Sequence, residues 1–567
     1  MSYNYRRMLA LFDEQIPALV SRQIDDPQHP EVGGFLGADG LAGSNQVSSA
    51  STYGYAYLLP ESRHCGDTDL VERIERAAEW GRRRRTPAGR FELLATNFDS
   101  SPDTGFTIQG MGPVVRAARK AEAAGDDGAR RIALALGELI HTAAPGMVAG
   151  GFHTPNHRWV LVSALAMAVE LFPDLDEQVR PTIEAYLAET IDVNADGEFI
   201  ERSTSVYNPV VDRSLRLAAE SLDRWELLDP VRANLELSYH LMHADGTVVT
   251  SVSNRQDRGA RVVPVGLADS YYTVARRDND GRFAAIADWL LERGGGGGSL
   301  EPFLTHPEWR DDGDVVRRAP ETAYRKYYPT ARLWRVRRGA TSATLAEGLD
   351  TPFSLRHGAA ELSAVRISST YFATGRFVGT DMAPIDGDRG ARLHHAGVNP
   401  IYPEKLYDRP IYWMPIGDGT KVDAGNWQEV RGRRDTFELP PMAIDIEVCE
   451  IEQGHAMDGA AFDLRTTTSG GVDGVPVQLE LLFEPGGTIE VEGAILEAHA
   501  GTTLFLKGGD AVYRVGDDEI TVGPGHCAHT MWKMHNSPDA PQAFRLLIAL
   551  LSPVDHTLRI RTARFNA

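Results

Sequence analysis

RFAAIADWLLERGGGGGSLEPFL, residues 282–304, is where the chain changes its period. Up to Arg293 the apolar residues fall at i, i+3, i+4 and i+7, the stripe of an amphipathic helix. The run Gly294 to Gly298, followed by Ser299, is flexible by composition. Beyond the charged, Pro-containing stretch 299–325 come ARLWRVRRG (331–339), SATLAEG (342–348), AVRISSTYFATGRF (364–377), VQLELLFEP (477–485), TTLFLKGG (502–509), DAVYRVG (510–516) and FRLLIALLSP (544–553). These alternate or are β-branched and aromatic, with Gly, Asp and Asn between them, which predicts antiparallel sheet.

Upstream of the glycine run, helical spacing predicts helices over 5–23, 68–85, 112–122, 127–142, 157–171, 175–190, 210–222, 229–242 and 281–293. Short connections make antiparallel αα-hairpins, which close into a bundle, a solenoid or a toroid. No fixed-length repeat is visible, which weighs against the solenoid. Helices first and sheets second is an α+β, multidomain layout rather than a βαβ sheet. The expected division is 1–325 and 326–567.

With 567 residues, 42% hydrophobic and 24% charged, the composition is that of a globular protein with room for more than one core. The net charge of −21 argues against a nucleic-acid or anionic-membrane binder, because both need a dominant positive field. Cys65, Cys449 and Cys527 are too few and too far apart for a disulfide framework or a metal-spacing motif, and read as buried or idle thiols. The N-terminus carries charges at helical spacing in place of a signal-peptide core, so a cytoplasmic location is expected. The apolar stretch Trp159 to Phe172 is too short for a membrane span.

Phe152-His153-Thr154-Pro155-Asn156-His157-Arg158-Trp159 stands just before an apolar helical run. Amide, imidazole and guanidinium donors at the positive end of a helix dipole suit a bound carboxylate. The alternative is that Asn156 or Thr154 caps the helix and His157 is a satisfied polar residue. Downstream, Asp196 to Asn208 forms a turn and a hydroxyl-rich loop in which Glu201, Arg202 and Tyr207 are placed to share that ligand. Two further polar loops, Asn97 to Phe106 ahead of Gln109 and Ser253 to Arg258, have the same look, and each also reads as a capped turn. Candidate ligand contacts are therefore Asn97, Asp99, Asp103, Gln109, Asn254 and Arg255. In the second region His357 follows Arg356, and His394 and His395 are adjacent. A histidine serves as a base near neutral pH. Neighbouring histidines on a strand point to opposite faces, so His394 and His395 are weak metal candidates, and the histidines between Gly525 and His535 are weaker still. The basic run Arg82 to Arg85 reads as a solvated helix end.

With FHTPNHRWV (152–160), DGEFIERSTSVYN (196–208) and NFDSSPDTGF (97–106) in a helical-then-β layout, the chain resembles the heparinase II/III-like and alginate-lyase group of polysaccharide lyases over most of its length. The resemblance implies an incomplete (α/α) toroid followed by an antiparallel β-sandwich that packs across the cleft and contributes a histidine. It also implies β-elimination on a uronic-acid glycan, a glycosaminoglycan first and alginate or another uronate glycan next, leaving a 4,5-unsaturated uronate end. Asn156 and His157 then match the pair that neutralises the uronate carboxylate, Tyr207 the catalytic tyrosine and His357 the β-domain histidine. Gly358 to Glu361 replace the His-x-His-Ala-Asp pattern of many members, which brings His394 or His395 forward as substitutes. Tyr207 is acid, and also base for syn elimination; His357 is base for anti elimination. The mechanism requires no cofactor, and a divalent metal is not predicted. The partner is an anionic oligosaccharide or polysaccharide, with a homo-oligomer left open and no nucleic acid or membrane. For such a substrate Arg158, Arg202, Arg255, Arg258 and Arg356 are expected to gather in the cleft. Two other readings remain: a toroid glycoside hydrolase, for which Asp99, Asp103 and Glu201 supply carboxylates, and a non-catalytic carbohydrate-binding protein.

Overall fold

The computed structural model describes residues 5–311, 315–371, 374–396, 415–416, 420–421, 440–452, 459–534 and 537–565. The chain divides into two compact units, Met1–Glu321 and Thr322–Ala567.

The first unit is helical: α1 (Tyr5–Asp13), α2 (Ile16–Arg22), α3 (Ala50–Leu58), α4 (Thr68–Arg84), α5 (Ser101–Ala123), α6 (Asp127–Val148), α7 (Pro155–Leu171), α8 (Asp176–Ala188), α9 (Tyr207–Leu222), α10 (Leu228–Leu241), α11 (Ala268–Asp278), α12 (Gly281–Arg293) and α13 (Glu301–Thr305). Each odd-numbered helix from α3 to α11 packs on its even-numbered successor, those from α3 to α9 also pack on the next odd-numbered helix, and α6 touches α4 and α8 on the outside. This is an incomplete (α/α) toroid. The outer α4 is amphipathic, whereas α7 is buried on nearly every side from Trp159 to Leu171, as an inner-ring helix must be.

That difference explains where helical spacing misreads the chain. In α3 no residue is exposed and in α11 Ala268 to Ala275 are all buried, polar Asp269, Ser270 and Thr273 included, and neither is among the expected helices. Helix α5 starts eleven residues before the predicted 112, at Ser101, despite Gly105, Gly110, Gly112 and Pro113. A Cβ on Gly105 would lie 2.9 Å from Val160, and one on Gly112 would lie 2.6 Å from the Met167 sulfur. The residues that lower its propensity are the ones that let it press on α7. The expected single helix 5–23 breaks between α1 and α2. No helix is long and apolar enough to cross a membrane among the described residues.

The glycine run is folded rather than flexible. Gly295 (φ 88°) and Gly296 (φ 87°) turn the chain after α12 in left-handed conformations that favour glycine. A Cβ on Gly298 would meet Leu291 at 2.7 Å and Met8 at 2.9 Å, so the chain lies back on the helical unit. The division between the units falls later, at Glu321/Thr322.

The second unit holds a nine-stranded and an eight-stranded sheet, and all strand pairings are antiparallel among the described residues except Thr503–Phe505 beside Phe544–Leu551. Strand Met442–Ile451 alternates buried and half-buried residues along its whole length, the signature of a sheet with one face on a core. Residues of both sheets, among them Trp334, Phe353, Leu479, Ile444, Phe462 and Ile560, form one continuous apolar layer. The unit is an antiparallel β-sandwich.

Candidate active site

Helix α7 opens with Pro155 at its first position and Thr154 in an extended conformation, but the Thr154 side chain does not cap it. The cap comes from the next loop. Glu201, 6% exposed, accepts the backbone N–H of Asn156 at 3.0 Å and the Asn156 side-chain amide at 2.8 and 3.0 Å. The Arg255 guanidinium closes the group with a short ion pair to the same carboxylate. An anion therefore does sit at the positive end of α7, and it is the protein's own. Asn156 is fully buried with both amide hydrogens on internal acceptors, and Glu201 pairs with Arg255 and the helix end.

Arg255 reaches further than Glu201. Its guanidinium stacks over the Tyr207 ring, 4.5 Å from the centroid. The Tyr207 hydroxyl accepts a hydrogen bond from Gln256 Nε2 at 2.8 Å, and the ring is half-buried at the start of α9. His157, half-buried, packs edge-on against Phe106 and His153. Burial first, then the positive fields of His153 and Arg255, pull its pKa down to about 4, so the imidazole is neutral at neutral pH. Its buried Nδ1 has no hydrogen-bond partner among the described residues. His157 can donate or accept one hydrogen bond, but the fixed positive charge of this site belongs to Arg255.

Two loops hold these side chains, and a carboxylate joins them. Asp257 accepts from Ser203 Oγ (3.0 Å), Ser205 N (3.1 Å), Ser205 Oγ (3.0 Å) and Ser253 Oγ (3.1 Å). Thr204 adds its N–H to Ser253 Oγ (3.2 Å) and its hydroxyl to the Val249 carbonyl (2.9 Å). Ser203 Oγ in turn accepts the Tyr207 N–H at 3.1 Å, which fixes the start of α9. Asp257 and Gln256 were not singled out from sequence. The signal was there in an aspartate among hydroxyls, facing a second run of hydroxyls far upstream.

The other expected site residues scatter. Arg158 bonds Glu189 and Asp192 and stacks on Trp159. Arg202 pairs with Glu198 at 2.8 Å in a left-handed conformation (φ 46°). Arg258 and Asn254 are exposed, and the Asn254 N–H closes the loop on the Arg202 carbonyl at 2.8 Å. Asn97 forms an Asx turn to Asp99 N, Asp99 binds Arg90 and Thr86, and Asp103 exchanges hydrogen bonds with Ser100 at the start of α5. Arg90 holds the Asp99 carboxyl below its ordinary pKa. Each carboxylate proposed for a hydrolase thus has an internal partner. Gln109, 3% exposed, donates to Ser163 and Ser214 and accepts from Arg213, so it ties α5, α7 and α9 together.

In the second unit His357 is fully buried, with Nδ1 2.8 Å from Thr341 Oγ1 and Nε2 3.9 Å from Asp518. Arg356, 6% exposed, pairs with Glu361. Of the five arginines, Arg255 stacks on Tyr207, while Arg158, Arg202 and Arg356 hold ion pairs within their own units. His394 binds Asp445, and the next residue of the strand, His395, binds the Val378 carbonyl. No group of three metal-ligating side chains occurs among the described residues, and His535 lies outside them. Cys65, Cys449 and Cys527 are free thiols, of which Cys65 is exposed.

No family model matches the chain, and no curated protein is significantly similar in sequence. Solved structures do match. The chain is similar to heparinase III at 11% identity and a TM-score of 0.53, over 92% of this chain and 77% of that one. It is similar to a heparan sulfate lyase of Pedobacter heparinus at 11% identity and a TM-score of 0.53, over 99% and 88%. It is similar to chondroitinase AC lyase at 10% identity and a TM-score of 0.52, over 99% and 82%. At such identities the shared property is the fold, an α/α toroid followed by a β-sandwich.

Proposed function

We propose that the chain is a polysaccharide lyase that cleaves uronic-acid glycans by β-elimination, glycosaminoglycans being the first class and alginate or another uronate glycan the next. The observation that carries the reading is the half-buried Tyr207 hydroxyl, held in a doubly braced loop beneath Arg255 and near a neutral His157. The fold adds support, since the similar solved structures are a heparinase, a heparan sulfate lyase and a chondroitin lyase.

Elimination needs a base at C5 of the uronate, an acid at the departing O4 and positive charge or hydrogen bonds for the enolate-like intermediate. Tyr207 in its phenolate form takes the C5 proton, and the phenol so formed returns it to O4 as the glycosidic bond breaks. One group on one face suffices, so the elimination is syn. Arg255 and His157 stabilise the charge that develops on the carboxylate, Arg255 through its field and His157 through the single N–H of a neutral ring. His357 serves the alternative anti route, but a fully buried ring is a poor place for a base that must meet a polysaccharide.

The test is ultraviolet absorbance of the conjugated enoate during incubation with a panel of uronate oligosaccharides, run beside Tyr207→Phe and His357→Ala proteins. Rising absorbance that Tyr207→Phe abolishes and His357→Ala spares is the expected result. New reducing ends without absorbance would mean hydrolysis, and neither signal across the panel would favour a binding protein.

A further inference from the structure

Inside the helical unit, a cavity of about 330 Å³ lies against the inner faces of α3, α5 and α9, lined by Ser51, Phe106, Gln109, Arg213, Arg216 and Glu301 among others. That volume is at the lower end of small-molecule sites, roughly 300–1,000 Å³. Phe106 lines this cavity and also packs edge-on against His157 of the candidate active site.

The two arginines of the cavity are not alike. Arg216 is fully buried and saturated by carboxylates: Glu301 at 2.5 Å, Asp269 at 3.2 Å and Glu220 at 3.4 Å. Arg213 has no carboxylate within 4 Å among the described residues, and its one hydrogen bond is from Nη2 to Gln109 Oε1 at 2.6 Å. Its buried Nε–H has no partner. Burial pulls the Arg213 pKa below its ordinary value, the expected result for a cation taken out of water without a counter-ion; the more distant Asp269 and Glu301 partly offset this. Gln109 holds the guanidinium in place from behind through Ser163 and Ser214. Ser51 Oγ is a second buried polar atom there without a partner. A guanidinium with a single hydrogen bond and no carboxylate partner among the described residues, lining a sugar-sized space beside the Arg216–Glu301 pair, forms a site that can take an anion.

We infer that this cavity is a subsite for the carboxylate of a uronate unit, received by Arg213, with Gln109 as the residue that positions it. The inference rests on the uronate-glycan reading above and extends it, assigning recognition of a second acidic sugar, next to the one at Tyr207, to the interior of the toroid.

The test is calorimetric binding of D-glucuronate, D-glucose and glucose 6-sulfate to the full chain, to Arg213→Lys and to Gln109→Glu. Gln109→Glu is nearly isosteric and gives Arg213 an internal carboxylate, so it removes the site without emptying it. The full chain should bind glucuronate, and each variant should bind it about tenfold more weakly or worse, as the loss of a charge-assisted hydrogen bond predicts. Retained cooperative unfolding of Gln109→Glu keeps that comparison valid should Arg213→Lys misfold. Glucuronate binding that both variants leave intact, equal binding of glucose, tighter binding of the sulfated sugar, or no binding of glucuronate would each overturn the inference. Because no turnover is read, the site can stand without lyase activity, and a lyase whose KM ignores both variants would keep its activity and lose this site.

Discussion

At the scale of single residues, the site is organised by two carboxylates that the chain keeps for itself. Glu201 supplies the anion that the start of α7 calls for, and removing it leaves the Asn156 amides and Arg255 without their acceptor. Glu201→Ala should therefore cost about 1–3 kcal/mol, the usual penalty for orphaned buried donors, read as a lower urea midpoint at unchanged m-value. His157 yields a second expectation. Its pKa is about 4 when folded against about 6.5 when unfolded, so below about pH 6.5 the unfolded chain binds a proton that the folded one refuses. Stability should fall as pH drops from about 6.5 toward about 4, and His157→Gln should flatten that fall; the same loss of unfolding free energy between about pH 7 and about pH 5 in the native chain and in His157→Gln would refute the assignment. Sequence reading found the neighbourhood of this site, since Asn156, His157, Glu201, Tyr207 and Arg255 do converge. It missed who partners whom. A motif that attracts an anion looks the same whether the anion is a ligand or a glutamate 45 residues away.

At the scale of elements, local sequence decides the outer helices and tertiary contact decides the inner ones. Helix α4 announces itself by its stripe, whereas α3 exposes no residue, α11 buries polar and apolar residues alike from Ala268 to Ala275, and α5 is written in glycines. Gly54 in α3 shows which effect wins. A Cβ there would stand 2.3 Å from Val114 of α5. Alanine would gain up to about 1 kcal/mol of helix propensity, but forcing a methyl into a packed contact with a stiff β-branched side chain costs about 1–3 kcal/mol. Gly54→Ala should thus lower the midpoint of unfolding; a higher midpoint would mean that the inner ring yields at this contact. The cap of α5 is the control for local effects. Ser100→Ala removes a reciprocal Ser100–Asp103 cap and should cost about 1 kcal/mol.

At the scale of the whole molecule, the change of period after Arg293 separates two bodies, and each has the means to fold by itself. In the second, the apolar layer runs from Trp334 to Ile560 without using a residue before Thr322. In Leu333–Arg338 the alternation puts Trp334 and Val336 on the core face and Arg335 and Arg337 on the other; across the register Arg335 faces Thr344, and Arg337 faces Ser342, which in turn faces Arg356. The face away from the core is thus arginine and hydroxyl, and its members are buried, Arg335 fully, with Arg335 donating to Thr344 Oγ1 at 2.8 Å. This alternation was legible in LWRVRR, while the pairing order of the strands was not, because long-range register depends on partners far away in the chain. A fragment of residues 322–567 should therefore remain soluble, show a β-type circular dichroism spectrum and unfold in urea in one cooperative step. Its folding should be slow, since its contacts are distant in sequence. A fragment that bound a hydrophobic dye and melted without a transition would refute independent folding of this unit.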